Sequence, residues 1–439
     1  RARLHTMARL TKSKLVLLGC FCLAFAAAFQ SAEAQSVCPN AKVFTPLSIP
    51  ADLPPMPFQW TSTFAAWNDA IQGATSTIDI ACYYMTLTDG MLAPPAQGGY
   101  MGAAIFQGLV SAAKNRGVRI RIVQQLPDSR MPAYDTGNLT AMGLADVRSI
   151  DFSTLMGGFG GILHTKMMVV DGKHGYVGSA NLDWRSLSQV KELGIMVKDC
   201  DVYAQDLGKI FEEYWMGAAG TSLPTWPSSL YTAYNLQNPM IVNGQPLYIS
   251  SGPAPFAPDG RVNDLDALLA AINGAKSSLK FAVMDYTPTS MYYKQPFYWP
   301  PVDDALRAAA FRGVKVQAMF SVWNHTNSRE LPYWRSLDQV YNINVKTYRM
   351  LDSPVDPQPP FSRVSHSKYV ITDNTAYVTT SNCGADYYLS TGGVSVNLLS
   401  NSAAYQTINS VFDTDWSSTF AGPIPLTVPR APRRPVKAH

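Results

Sequence analysis

Six histidines are spread over 439 residues, and two of them stand in the same frame, H-x-K-x-x-x-x-D. His164, Lys166 and Asp171 form the first copy; His366, Lys368 and Asp373 form the second. An apolar run follows each histidine and reads as a β-strand, in which residues i and i+2 share a face. Each imidazole therefore projects beside its ammonium. Turn signals follow at Asp171-Gly172 and Asp373-Asn374. A second short strand then runs into Gly178-Ser179-Ala180-Asn181 in one copy and Thr379-Thr380-Ser381-Asn382 in the other. Ser179 and Asn181, like Thr380 and Asn382, again lie two apart on one face.

One imidazole, one ammonium, one hydroxyl and one carboxamide from each copy suit a phosphodiester. The lysines neutralise charge that builds on the non-bridging oxygens. One histidine attacks phosphorus to form a phosphohistidine, and the other protonates the leaving oxygen and later activates water. The Asp171 and Asp373 carboxylates count with the catalytic set. Glu192 could support a catalytic residue by hydrogen bonding; the alternative is an exposed strand-edge carboxylate. The two half-sites look chemically alike, so the sequence leaves the choice of nucleophile open. No metal and no cofactor are expected, because a charged Lys two residues from each His is a poor ligand and repels a dication. A Ser-His-Asp hydrolase is disfavoured because no G-x-S-x-G elbow occurs. His174 reads as part of an exposed hairpin, and His325 as a passive member of a glycosylation sequon.

Two copies of a motif need two copies of the scaffold, and the chain supplies them. Ala70-Ile71-Gln72-Gly73-Ala74 matches Ala271-Ile272-Asn273-Gly274-Ala275, each followed by a strand pattern. Arg116-Gly117-Val118 and Arg312-Gly313-Val314 match in turn, with glycine suited to a helix C-cap. A period of roughly 200 residues is far too long for a solenoid. The expected fold class is α/β: a duplicated fold of two lobes, each a mixed β-sheet flanked by helices, related by a pseudo-two-fold axis. The lobes are expected at 35–230 and 231–422, joined through a proline-rich stretch, with a flexible basic and proline-rich tail at 423–439.

Hydrophobic residues make up 47% of the chain and charged residues 15%, so it is globular. A net charge of +4 permits a polyanionic substrate without demanding one. Residues 1–34 read as a secretory signal with Met7 as its start: Arg9, Lys12 and Lys14, then an apolar core, then Ala32-Glu33-Ala34 before the cleavage point. A membrane signal anchor is the lesser alternative. Cys38 and Cys200 lie in polar, loop-like surroundings and are paired as a disulfide; Cys82, inside a strand pattern, is expected as a buried free thiol. Asn138 and Asn324 begin sequons that could carry glycans.

These motifs resemble those of the phospholipase D superfamily over most of the chain, from about residue 36 to 420. The stretches Gly178 to Ser186, Gln189 to Gly194, Phe297-Tyr298-Trp299-Pro300 and Thr380-Ser381-Asn382 are most similar to the branch containing phospholipase D3 and phospholipase D4. The resemblance implies a metal-independent phosphohistidine mechanism on the duplicated α/β fold. It implies a 5′-to-3′ exonuclease on single-stranded DNA and RNA in the lumen of the endoplasmic reticulum or lysosome, or secreted. The alternative is phospholipase D-type hydrolysis or transfer on (lyso)glycerophospholipids. A catalytically inactive binding or scaffold member is a third reading, against which both motif copies argue by being intact. The partner is then single-stranded nucleic acid or phospholipid, and a homodimer is compatible with either. Thr379 and Cys383 stand where family members usually carry Gly and Trp. Tyr83, Tyr84, Tyr286, Tyr292, Tyr293, Phe297 and Trp299 are candidates to stack on bases, with core packing as the alternative for each.

Overall fold

The structure, a computed structural model, describes residues 37–429 except 90–96, 130, 159, 294 and 354–357. The expected signal, at 1–34, lies outside the described residues. No helix among those described is long and apolar enough to cross a membrane.

The first half builds one large sheet, beside a two-stranded pairing of Met85–Thr86 with Leu182–Asp183. Its strands are β1 (Lys42–Phe44), β2 (Thr77–Cys82), β3 (Arg119–Gln125), β4 (Asp146–Ile150), β5 (Lys166–Val170), β6 (His174–Gly178) and β7 (Glu192–Lys198). They lie in the order β1-β7-β6-β5-β2-β3-β4, with the short Leu47–Ser48 strand also on β7. The second half builds β8 (Met240–Val242), β9 (Gln245–Gly252), β10 (Ser278–Val283), β11 (Lys315–Ser321), β12 (Ile343–Tyr348), β13 (Tyr369–Thr372), β14 (Ala376–Thr379), β15 (Gly393–Leu398) and β16 (Ala421–Gly422). Their order is β8-β9-β15-β14-β13-β10-β11-β12-β16.

The segment β7-β6-β5-β2-β3-β4 recurs as β15-β14-β13-β10-β11-β12 with the same directions. The β2–β3–β4 and β10–β11–β12 pairings are parallel, and the hairpin strands are antiparallel in both. A duplicated mixed α/β fold is therefore observed. Parallel strands need covered faces, which the crossover helices provide. These are α1 (Thr63–Gly73) and α2 (Gly99–Arg116) in the first half, then α3 (Asp201–Gly217), and α4 (Asp264–Gly274), α5 (Pro301–Phe311) and α6 (Ala403–Ser417) in the second. Gly117 ends α2 in the left-handed region at φ 69°, as its C-cap position requires.

Strand alternation distributes the apolar residues among three cores. Ile78 and Ile80 of β2 pack under α1 and α2. Leu279 and Phe281 of β10 pack under α4 and α5. Leu193, Ile195 and Val197 of β7 share the central core with Val394, Val396 and Leu398 of β15, sandwiched with Phe211 and Phe412 from α3 and α6. The two halves thus bury one another. Three ion pairs reinforce the join: Lys191–Asp415, Arg363–Asp52 and Arg261–Asp206. Lys191–Asp415 and Arg261–Asp206 are buried on both sides, and breaking either leaves an uncompensated charge, a loss of about 3–5 kcal/mol; Asp52 is exposed, and its pair contributes less.

Cys38 and Cys200 form a disulfide, and Cys82 is a buried free thiol, its ionisation pushed up to about 12 by burial. Cys383 is also buried and unpaired. The tail expected from residue 423 is not loose at its start. Ile424 and Val428 pack against the second-half core, and Arg335 donates to the carbonyls of Pro425 and Leu426. Apolar burial there outweighs the entropy that its proline-rich composition implied; residues 430–439 lie outside the described residues.

Candidate active site

His164 and His366 stand just before β5 and β13, where the two hairpin sheets meet. Each is held by the other half. The His164 N–H donates to the Gly392 carbonyl at 2.9 Å, and the His366 N–H donates to the Lys191 carbonyl at 2.8 Å. Bridges Leu163–Gly392 and Lys191–Ser365 run beside these bonds. Neither histidine can be placed without the opposite repeat.

The rings are held differently. His164 Nδ1 lies 3.0 Å from the Thr380 carbonyl oxygen, so Nδ1 carries the hydrogen and Nε2 keeps its lone pair. His366 Nδ1 lies 3.1 and 3.0 Å from the two oxygens of Glu192. Glu192 is 1% exposed and also accepts from Ser186 Oγ at 2.9 Å. It is thus a buried support of the site, not an exposed strand-edge carboxylate. Sheet register explains the asymmetry. Gly178 pairs with Gly194 in the first half and Thr379 with Ser395 in the second, so the position of Glu192 is filled by Gly393 in the other copy. His164 has no carboxylate to meet and takes a backbone carbonyl.

Lys166 and Lys368 are fully buried, and each Nζ donates to the carbonyl of its own motif histidine. Burial lowers the Lys166 ammonium well below the ordinary lysine range, and Lys368 lowers it further. Lys368 is pushed down to about 8 by burial, opposed by Glu192 and Asp285. The same forces act on the imidazoles. Burial, Lys166 and Lys368 hold His164 well below its ordinary value. Burial also lowers His366, but Glu192 counters. For Glu192, burial disfavours the charge, yet His366 and Lys368 outweigh it and hold the carboxyl below its usual value.

The remaining motif residues divide. Asn181 lines a cavity of about 320 Å³ that His164, His366 and Glu192 also line. Asn382 is committed elsewhere: its Nδ2 donates to Asp285 at 2.8 Å and to the Tyr387 hydroxyl at 3.1 Å. The hydroxyls expected to face phosphate instead pin strands. Ser179 Oγ accepts from the Leu193 N–H at 3.0 Å, and Thr380 Oγ1 accepts from the Val394 N–H at 3.1 Å.

Asp171 and Asp373 are not brought to the site. Asp171 accepts from the N–H groups of Thr75, Ser76 and Thr77 at 2.8, 2.7 and 2.9 Å, and Asp373 accepts from those of Lys276, Ser277 and Ser278. Each lies seven residues along extended chain from its histidine, a rise of roughly 23 Å. Each carboxylate fills the nest of amides before β2 or β10, which holds both well below the ordinary carboxylate range even against burial. Asp171 and Gly172 take φ of 55° and 60° to make the turn. The frame placed these aspartates beside the chemistry; the strand carries them to its far end.

Other residues reach the site without a motif. Asp285 follows β10 where Tyr84 follows β2 in the repeat, and it sits against Asn382 and Lys368 with its pKa raised to about 6 by burial. The repeat alignment could have revealed this exchange of Tyr for Asp. Arg185 is clamped by Asp183, which also accepts from the Tyr84 hydroxyl, and both line the cavity. Of the candidate aromatics, Tyr83 and Tyr84 line it, the Tyr83 ring lying 5.5 Å from His164. Tyr286 is buried and stacked on Phe320, and Trp299 stacks on Tyr388, both core roles. Tyr292, Tyr293 and Phe297 do not line the cavity. Among the described residues no group of three or more His, Cys, Asp or Glu is arranged to hold a metal ion. His174 accepts from the Asp199 N–H, away from the site. Asn138 is exposed on the helix Tyr134–Ala141, and Asn324 is half-buried.

Residues 56–351 match the family model described as "PLD3/4, PLD-like domain". The chain is 46% identical over 371 residues to phospholipase D Z of Dictyostelium discoideum, covering 83% of this chain and 86% of that protein. It is 39% identical over 375 residues to 5′-3′ exonuclease PLD3 of Rattus norvegicus, covering 82% of this chain and 75% of that protein. Among solved structures, a phosphatidylserine synthase from Haemophilus influenzae shares the fold, with a TM-score of 0.57 at 10% identity over 82% of this chain and 84% of its own.

Proposed function

The chain belongs to the PLD3/4, PLD-like family of the phospholipase D superfamily and is a phosphoric diester hydrolase; from that premise we propose that it is a metal-independent 5′-to-3′ exonuclease on single-stranded DNA and RNA in the lumen of the secretory pathway. The observation that carries the chemistry is the cross-latched histidine pair, one ring on a carbonyl and one on a carboxylate, facing a single cavity. A relative named as a 5′-3′ exonuclease supports the nucleic-acid substrate. A disulfide supports an oxidising compartment.

The unequal partners support an assignment of the roles that the sequence left open. His164 is the neutral ring with a free Nε2 lone pair, so it attacks phosphorus. His366 is the ring whose protonated form a carboxylate stabilises, so it gives its Nε2 proton to the leaving 5′-oxygen as the P–O bond breaks. The terminal nucleotide is left on His164 through its 3′-phosphate. His366, now neutral, takes a proton from water, which attacks phosphorus and breaks the P–N bond. Lys166 and Lys368 neutralise the non-bridging oxygens throughout, and Asn181 adds a donor from the cavity wall.

Phospholipid is the second reading, favoured by the name of the Dictyostelium relative. Both substrates present the same phosphorus. The test offers the purified protein a 5′-hydroxyl single-stranded oligonucleotide and, in parallel, lysophosphatidylglycerol, both with EDTA present. The expected result is stepwise shortening of the oligonucleotide from its 5′ end, unaffected by EDTA. Loss of activity in EDTA overturns the metal-independent mechanism. Turnover of the lipid with the oligonucleotide intact overturns the exonuclease in favour of the lipid reading.

A further inference from the structure

Trp323, His325 and Phe361 form a stack at the mouth of the cavity that neither the motifs nor the repeat explains. His325 lies flat on Phe361, with ring centroids 4.7 Å apart and planes at 20°. Trp323 packs against His325 with centroids 4.7 Å apart and planes tilted at 60°. Trp323 and Phe361 line the same cavity as His366. Yet Phe361 is 60% exposed, so burial of the ring does not account for its position.

The backbone is held to present it. Phe361 has φ 56° and Arg363 has φ 60°, a left-handed conformation unfavourable for bulky side chains. Neighbours impose it. Arg185 donates to the Pro360 carbonyl at 3.0 Å, tying the loop to the opposite half-site. Ser362 Oγ donates to the Pro359 carbonyl at 2.6 Å. Arg363 is clamped to both carboxylate oxygens of Asp52 at 2.8 and 2.7 Å and donates to the Leu351 carbonyl. A strained, exposed aromatic ring braced from three sides beside a reactive centre is built to receive a ligand.

We infer that Phe361, backed by His325 and Trp323, is a stacking platform for a nucleobase of the substrate, within one nucleotide of the scissile phosphate. The inference rests on the exonuclease reading and deepens it. A stack of flat rings offers one more flat face, which suits a base of any identity. Stacking of this kind is sequence-tolerant, because every base has a π-face. His325 and its neighbour Trp323 are thereby given work, where the sequence assigned His325 only to a sequon.

The test compares wild type, Phe361→Ala and Phe361→Tyr by kcat/KM on three 5′-hydroxyl oligonucleotides: fully based, abasic at the first nucleotide, and abasic at the second. For wild type we expect the based strand to be preferred by roughly tenfold over one of the two abasic strands. In Phe361→Ala that preference falls toward one, while Phe361→Tyr keeps it. The preference is a ratio within each variant, so any loss of folded protein cancels. If Phe361→Ala keeps the wild-type ratio at both positions, the platform is wrong and the exonuclease stands. If wild type shortens none of the three strands, the exonuclease reading falls and takes the platform with it.

Discussion

The half-sites of His164 and His366 come from copies of one sequence motif on copies of one sheet, and they are not equivalent. His164 leans on the Thr380 carbonyl; His366 leans on Glu192. Lys166 has Tyr83 beside it, its Nζ 5.8 Å from the ring centroid, whereas Lys368 faces the Asp285 carboxyl. Asn181 faces the cavity; Asn382 is spent on Asp285 and Tyr387. A symmetric pair would place two rings with the same proton affinity across one phosphorus, and in-line displacement needs one with a proton and one without. Single exchanges, Glu192 against Gly393 and Tyr84 against Asp285, make the two half-sites unequal while the scaffold stays duplicated.

The strongest way to break this comparison is to remove each ring. Both His164→Ala and His366→Ala should lose at least about 10³-fold on an oligonucleotide. They should fail differently on a phosphodiester with a p-nitrophenolate leaving group, which needs no proton. His366→Ala should then accumulate a phosphoenzyme labelled at His164, read by mass spectrometry after quenching, and His164→Ala should accumulate none. A label on His366 reverses the assignment.

Glu192→Gln tests the asymmetry more gently. The carboxylate favours the imidazolium of His366, so removing its charge lowers that ring's proton affinity. Because the acid must be protonated, activity falls as pH rises through its pKa, which already lies below the ordinary 6.5. The variant should shift the alkaline limb of kcat/KM to lower pH and lose on the order of tenfold or more near neutrality. An unmoved limb would detach Glu192 from the proton transfer.

The smallest effect concerns the two aspartates, which should prove alike. Asp171→Ala and Asp373→Ala should each cost about 2 kcal/mol of stability, a figure discounted for their exposure. Both carboxylates are held below the ordinary 3.8 in the folded chain. Their contribution is therefore present above that value and is lost as pH falls through the folded pKa. Urea unfolding at pH 7 should separate variant from wild type, and the gap should narrow below pH 4. A fall in kcat at unchanged stability would return these residues to the chemistry.

The sequence was most readable where periodicity and pairing are local. Strand spacing put Lys166 beside His164 and Lys368 beside His366, because i and i+2 share a face whatever the sheet does. It was least readable at Ser179, Thr380 and Asp171. Their types suit phosphate chemistry, but their hydroxyls and carboxylate are taken by backbone amides of strands that only the fold brings near. Phe361 gave no signal at all, since neither its neighbours nor the repeat mark it.

By itself, then, the sequence determined that two copies of an α/β unit carry two His-Lys sets and that one phosphodiester chemistry fits them. Duplication, strand period and residue type are properties of the chain order. Only the tertiary structure decided that each histidine is gripped by the opposite repeat, that Glu192 meets His366 while its counterpart Gly393 leaves His164 a carbonyl, and that both aspartates hold turns instead of protons. Those outcomes depend on contacts between residues far apart in sequence, such as Glu192 with His366, and no local pattern encodes which distant partner a side chain will find.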